Sequence, residues 1–364
     1  MTSILVTGGA GFIGSHLATR FVEQGHRVRV LDNLSTGHRS NLSHLGNRVE
    51  LIEADLRDAS ACLKACEGVE FVFHQAALGS VPKSVEDPQT YHDVNINGTF
   101  NMLRAAVRQK VRRFIYAGSS SAYGDSEESP KHEGMRPSPL SPYAVQKLTG
   151  EEYARAFHVC YGLETITLRY FNVFGPRQDP KSQYAAAIPA FVSAILHGQS
   201  PTIYGDGEQS RDFTYIDNVV DGNLAAMSAK KTCGETVNLA CGGQITVNQV
   251  IAAINKALGT NVRPRYVDPR PGDVRHSCAD TRLAETLLGF RPKVSFEDGL
   301  RRAIDYYRSL ARPPIAHPAR RRNGIRTRPS ILNVFGFLTP TSTEPVRPCG
   351  SWRNTRGSCS TTQG

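Results

Sequence analysis

Apolar positions in the first half of the chain fall into two alternating rhythms. Short runs rich in β-branched residues, at 4–7, 28–31, 49–53, 69–74, 114–118 and 165–169, read as strands. Between them apolar residues recur at helical spacing, as at Leu17, Phe21 and Val22. Regular alternation of this kind predicts βαβ units, and so a doubly wound α/β fold with a parallel sheet covered by helices. After Phe171 the rhythm loosens into segments punctuated by Gly and Pro, with helices expected near 188–197, 247–257 and 296–309. That pattern predicts a smaller, mixed α/β lobe. No internal repeat is apparent.

Past Leu310 the chain turns to Pro, Arg, Ser and Thr, including Arg320-Arg321-Arg322, and no apolar period is sustained, which predicts a disordered basic tail over 311–364. The tail accounts for most of the charge. Of the net +10, residues 311–364 supply nine Arg against one acid, Glu344, leaving 34 basic and 32 acidic residues in 1–310. Nucleic-acid binding by the folded body is therefore not expected. The chain enters Ile4-Leu5-Val6 directly from Met1, and nowhere do 18 apolar residues follow one another, so the expectation is a cytoplasmic protein without a membrane span. The eight cysteines form no Cys-x-x-Cys pair and do not cluster with His, so free thiols and no metal site are expected.

Candidate chemistry begins at the first strand-to-helix turn, Gly8-Gly9-Ala10-Gly11-Phe12-Ile13-Gly14. Gly9, Gly11 and Gly14 match the dinucleotide fingerprint, in which missing side chains let the backbone turn tightly and bring helix-start amides to a pyrophosphate. Asp32, followed by Asn33, closes the second strand 18 residues after Gly14. A carboxylate there accepts hydrogen bonds from ribose hydroxyls and repels a 2′-phosphate, which favours NAD over NADP. These features make the amino-terminal unit a Rossmann domain. Further along, Tyr143 and Lys147 are four residues apart in a stretch expected to become helical after Pro142, so both lie on one helix face. An ammonium near a phenol favours phenolate and makes tyrosine a usable base. The strand before it ends in Ser119-Ser120-Ser121-Ala122-Tyr123, offering hydroxyls at the sheet's carboxyl edge, where ligands bind.

Together, the glycine loop, Asp32, Asp55, His74-Gln75-Ala76-Ala77, Asn95, the serine run and Tyr143/Lys147 resemble the extended short-chain dehydrogenase/reductase family over roughly 3–309. Within it the chain is similar to the UDP-hexose 4-epimerases, and most to those handling N-acetylhexosamine or hexuronic sugars. The resemblance implies a homodimeric enzyme of nucleotide-sugar metabolism, supplying polysaccharide biosynthesis, in which NAD is recycled rather than consumed. It implies a Rossmann domain at 1–171 joined by part of 210–240, and a nucleotide-sugar lobe at 172–310. Tyr143 would be the acid/base and Lys147 would lower its pKa, while Ser119 bonds the sugar 4-hydroxyl, with Ser120 a close second. Gly8, Asp55, Leu56, Ala76, Ala77, Asn95 and Tyr170 would join the loop, Asp32 and Asn33 around NAD. Gly79, Ser80, Ser120, Asn172, Tyr204, Arg211, Arg270, Asp273 and Ser277 would line the substrate site. Guanidinium forks suit Arg211 and Arg270 to a diphosphate.

Two departures from the glucose/galactose pattern point to the sugar. Gly79 stands where those enzymes tend to carry Lys, and Ser277 where some carry a bulky Tyr, leaving room for an N-acetyl group. UDP-GlcNAc/UDP-GalNAc is thus the leading pair, with UDP-glucose/UDP-galactose admitted, because a roomy pocket rejects a smaller substrate poorly. Rival readings are a UDP-glucuronate-type epimerase or decarboxylase and a non-catalytic NAD-binding scaffold. Dimerisation would use helices near 89–109 and 143–159, although the stripe Phe100, Leu103 and Val107 is explained equally by burial in a core.

Overall fold

A computed structural model describes residues 1–179, 187–269 and 274–311. Seven parallel strands form the main sheet in the order Glu235–Leu239, Glu164–Tyr170, Arg113–Ser119, Phe71–His74, Ser3–Thr7, Arg27–Asp32, Val49–Glu53. Each of the six strands expected from the sequence is present, with ends moved by at most two residues. The order of strands reverses between Ser3–Thr7 and Phe71–His74, which opens a crevice beyond their carboxyl ends.

Strand side chains alternate between two apolar layers, as the pleat requires. Ile4, Val6, Val28, Val30 and Phe73 pack with Leu17 and Phe21 of helix Phe12–Glu23, while Leu5, Leu31, Val72 and Phe114 pack with Met102, Leu103 and Phe157 on the other face. Both faces are covered, so these strands read as continuous apolar runs rather than alternating ones.

After Phe171 come short pairings: Val173–Phe174 beside Thr214–Tyr215, Thr202–Tyr204 beside Arg265–Val267, and Ser210–Arg211 between Ile245–Thr246 and His276–Ser277. Helices Ala187–Leu196, Val247–Leu258 and Phe296–Ala311 pack on one another. Their apolar residues Ile188, Val250, Ile254 and Ile304 belong to the same core cluster as one layer of the main sheet, and residues 1–313 form one compact unit.

One expectation changes. The helix foreseen over 89–109 is split into Pro88–His92, a wide π turn at Asp93–Asn97, and Gly98–Arg108. The turn carries Asn95 inward, where its side-chain amide bonds Leu78 N, Leu78 O and Gln146 Oε1, and such insertions cluster at functional sites. Leu103 is fully buried and Phe100 and Val107 pack beside it, so this stripe faces the core. Val145, Tyr153, Val159 and Tyr161 of helix Pro142–Tyr161 stay exposed. Among the described residues no helix is long and apolar enough to cross a membrane.

Candidate active site

The crevice at the strand reversal is a cleft of about 300 Å³. Gly8, Gly11, Phe12, Ile13, Gly14, Asp32, Asn33, Asp55, Leu56, Ala76 and Ala77 all line it. Gly8 holds a left-handed φ of 66°, and a Cβ there would sit 2.7 Å from Ala76 Cα. At Gly14 a Cβ would lie 2.2 Å from the Gly8 carbonyl oxygen, so the helix start and the loop touch backbone to backbone. Gly9 packs beneath the loop against Val30. No side chain caps the first turn of helix Phe12–Glu23, which leaves its leading amides open toward the cleft and suited to a pyrophosphate.

At the far end Asp32 accepts hydrogen bonds from Ala10 N at 2.9 Å and Leu34 N at 2.8 Å, which fixes its carboxylate at the strand terminus. Asp55 accepts from Arg57 and Asn33, and the Arg57 hydrogen bonds hold it well below the usual carboxylate range. The polar end and the glycine cradle together fit an adenosine diphosphate moiety.

Tyr143, Lys147 and Ser119 do not line this cleft but come together at the start of helix Pro142–Tyr161. Ser141 caps helix Pro142–Tyr161 by accepting from Ala144 N, and Pro142 starts the first turn with a preset φ. Tyr143 and Lys147 follow on one face. Burial pushes the Tyr143 phenol up, and its hydrogen bond with Ser119 draws it back down. Lys147 Nζ donates to Ala117 O at 2.8 Å, and desolvation brings its pKa down to about 8. Ser119 Oγ is 2.8 Å from Ser121 Oγ, so Ser119 bonds to both a hydroxyl neighbour and the phenol.

A second cleft, of about 450 Å³, is lined by Ser120, Ser121, Ser141 and Ala144, the immediate neighbours of Ser119 and Tyr143. Asn172, Arg211 and Ser277 join them, although they are 52 to 157 positions from Ser120 in sequence. Arg211 Nη1 donates to the carbonyls of Ser210 and Arg275, which stretches its guanidinium along the strand edge. Val81, Pro82, Val85 and Leu140 form an apolar wall of this cleft.

Several expected residues are placed otherwise. Gly79 lines the first cleft rather than the second. Ser80 uses its hydroxyl to cap helix Val81–Glu86 through Lys83 N. Tyr204 is the exposed last residue of strand Thr202–Tyr204 and lines neither cleft. Asn95 and Tyr170 are buried supports: the Tyr170 hydroxyl bonds Gln75 and Asn223. Arg270 and Asp273 lie outside the described residues.

Local sequence patterns do not reveal the groups that hold the machinery from behind. Ser84 Oγ accepts from Tyr143 N at 3.1 Å, pinning the start of helix Pro142–Tyr161 to helix Val81–Glu86. Glu151 takes two hydrogen bonds from Arg169, whose guanidinium lies 4.6 Å from the Tyr123 ring centre. His74 is buried between Thr7 Oγ1 and Thr99 Oγ1, and desolvation lowers its pKa to about 3. Their partners stand 18 to 67 residues away in sequence and meet them only through the tertiary fold.

Residues 4–240 match the profile of the NAD dependent epimerase/dehydratase family. The chain belongs to that family. A putative UDP-glucose 4-epimerase of Methanocaldococcus jannaschii is 39% identical over 308 residues, covering 84% of this chain and 98% of the relative. The structure of a UDP-N-acetylglucosamine 4-epimerase from Methanobrevibacter ruminantium M1, in complex with UDP-N-acetylmuramic acid, superposes with a TM-score of 0.82 at 40% identity. It covers 85% of this chain and 99% of that one. A UDP-glucose 4-epimerase from Thermotoga maritima, solved with UDP-glucose, gives 0.82 at 38% identity, with 85% and 100% covered. As a member of this epimerase/dehydratase family the chain is an NAD-dependent enzyme, and the glycine cradle with Asp32 is the fitted place for that cofactor.

Proposed function

We propose that this family member interconverts UDP-GlcNAc and UDP-GalNAc by inverting C4, and that it also accepts UDP-glucose and UDP-galactose. The observation that carries the sugar preference is the make-up of the second cleft. Small Ser277 and the apolar Val81, Pro82, Val85 and Leu140 line it together with the serines beside Tyr143. Space next to apolar surface suits an acyl methyl group, whereas a site for an unsubstituted hexose needs hydroxyl partners there.

Bound NAD supplies the acceptor and donor for the C4 hydride. The chain's residues handle the rest. Tyr143 exchanges the 4-hydroxyl proton, and Ser119 orients that hydroxyl through the contact it already makes with the phenol. Lys147, buried with its ammonium donating to Ala117 O, is the cation one helical turn from Tyr143 that would stabilise the phenolate. Asn172 and Arg211 hold the diphosphate while the sugar presents its other face, so binding energy remote from C4 contributes to turnover.

The test is to follow UDP-GlcNAc and UDP-glucose separately by NMR with purified protein, for wild type and Ser277→Tyr. Appearance of both galacto epimers from wild type, with the N-acetylated substrate selectively lost in Ser277→Tyr, is the expected result. Turnover of UDP-glucose alone would overturn the sugar preference. Failure of both substrates, with NAD supplied, would overturn the C4-epimerase reading for these sugars.

A further inference from the structure

Asp212 is fully buried between Arg211 and the second lobe's core, yet the proton-handling chemistry above does not use it. Its carboxylate is committed to backbone amides from two distant segments. Oδ1 accepts from Cys241 N at 3.0 Å, and Oδ2 accepts from Gly242 N at 2.9 Å and from Ala279 N at 3.2 Å. Its own carbonyl accepts from Asn172 Nδ2 at 3.4 Å.

Two of these four connections reach the second cleft's side chains, through Ala279 and Asn172, while Cys241 and Gly242 tie the same carboxylate to the turn after strand Glu235–Leu239. Arg211 precedes Asp212, Ser277 stands two before Ala279, and Asn172 is bonded directly. The strand pairing between these segments is only two residues long, Ser210 with His276 and Ser277 with Arg211. So short a ladder has little register strength of its own, and the carboxylate lies just beyond its last rung. A buried acid that only needed partners would be met equally well by one local turn. Here the donors come from chain segments 29 to 67 residues away, and one of them, Ala279, lies on the segment that carries Ser277.

We propose that Asp212 is a positioning residue for the nucleotide-diphosphate end of the substrate, its carboxylate clamping the Arg211 and Ser277 segments to the Cys241–Gly242 turn as one rigid wall. Amide donors from the Cys241–Gly242 turn and Ala279 are satisfied only by an acceptor with two oxygens facing three N–H groups. Asn in its place keeps the shape but turns one acceptor into an NH₂ donor, which faces an amide proton and pushes a segment away. Burial raises the acid's pKa to about 6, the cost of holding this charge away from water, and the backbone amides of Cys241, Ala279, Gly242 and Gly243 partly offset it.

This inference rests on the UDP-sugar reading, so the experiment separates the two by measuring UDP itself. Titration calorimetry of UDP into wild type and Asp212→Asn is combined with kcat and KM for UDP-GlcNAc, NAD content and thermal unfolding. Loss of a charge-assisted pair at the wall should weaken UDP binding and raise KM by about tenfold or more. At saturating substrate kcat should stay within about threefold, and NAD content should be unchanged, because Tyr143, Lys147 and the glycine cradle are not touched. A purely structural Asp212 would instead lower thermal stability while leaving UDP affinity and KM at wild-type values, and that result overturns the proposal. Wild type that does not bind UDP overturns the UDP-sugar reading and the role of Asp212 with it. Should Asp212→Asn fail to fold, Asp212→Glu carries the same comparison, since it keeps the charge and moves it by one methylene.

Discussion

Replacing Gly14 by Ala tests the phosphate loop at its tightest point. The added Cβ would sit 2.2 Å from Gly8 O and 2.8 Å from both Gly8 C and Gly9 Cα, all backbone atoms. Ordinary contact requires roughly 3.4 Å or more, so the loop must retreat by about 1 Å. It has nowhere to go. Gly8 O accepts from Gly11 N, Gly8 N donates to Leu31 O at 2.8 Å, and Gly8 Cα faces Ala76. Overpacking of this sort costs about 1–3 kcal/mol, against which Ala regains up to about 1 kcal/mol of helix propensity. The net loss is about 1–2 kcal/mol, or about 2–4 °C in Tm for a domain of this size. Gly11 is the control. Its φ of −77° and ψ of −176° suit alanine, and its Cβ would meet only Gly8 O, at 3.1 Å, and otherwise project into the cleft. Gly11→Ala should therefore keep the Tm of the cofactor-stripped protein within about 2 °C while excluding NAD. Both variants are compared by thermal unfolding after cofactor removal and by NAD released on denaturation. Equal Tm values for Gly14→Ala and wild type, or full NAD content in Gly11→Ala, would refute the packing described for the loop.

Three further outcomes follow from the same geometry. Tyr143→Phe should retain NAD and fold normally while epimerisation falls about a hundredfold to ten-thousandfold, and near-wild-type turnover would remove Tyr143 from the chemistry. His74 is held neutral, with its pKa lowered from 6.5 to about 3 mainly by burial, so the unfolded chain takes up a proton that the folded one refuses. Its contribution is present above pH 6.5 and is lost as the pH falls toward 3. Stability of wild type should fall more steeply than that of His74→Gln below about pH 6.5, by at most about 1.4 kcal/mol per pH unit, as read by urea titration at several pH values; parallel slopes would contradict it. Arg113 is fully buried, bonding Glu164 and the carbonyls of Ala226 and Met227, so Arg113→Ala should cost about 3 kcal/mol in chemical denaturation, and a loss near zero would contradict the pairing.

Much of the cofactor half is legible in the amino-acid sequence, because its determinants are local. A strand run of β-branched residues, a glycine that must take φ of 66°, a helix that starts where Gly11 leaves its amides free, and an acid closing the next strand all act within a few residues of one another. The pair Tyr143 and Lys147 is equally local, since four residues on a helix share a face. The alternation of strand and helix also determined the parallel sheet, whose strands can be joined only by crossovers.

What the tertiary structure decided is which distant residues meet. Nothing in the segment around Gly79 tells that it faces the cofactor cleft while Val81, Pro82 and Val85, a few residues on, form the apolar wall of the other. The wide turn that draws Asn95 inward, the Ser84 bond to Tyr143 N and the clamp at Asp212 depend on partners 17 to 67 residues apart. Such contacts form only after loop closure and core packing have fixed the elements, and their polar groups are chosen by where unsatisfied amides are left. A short sequence window carries the backbone's requirements, whereas the second cleft is assembled from several such windows by the fold.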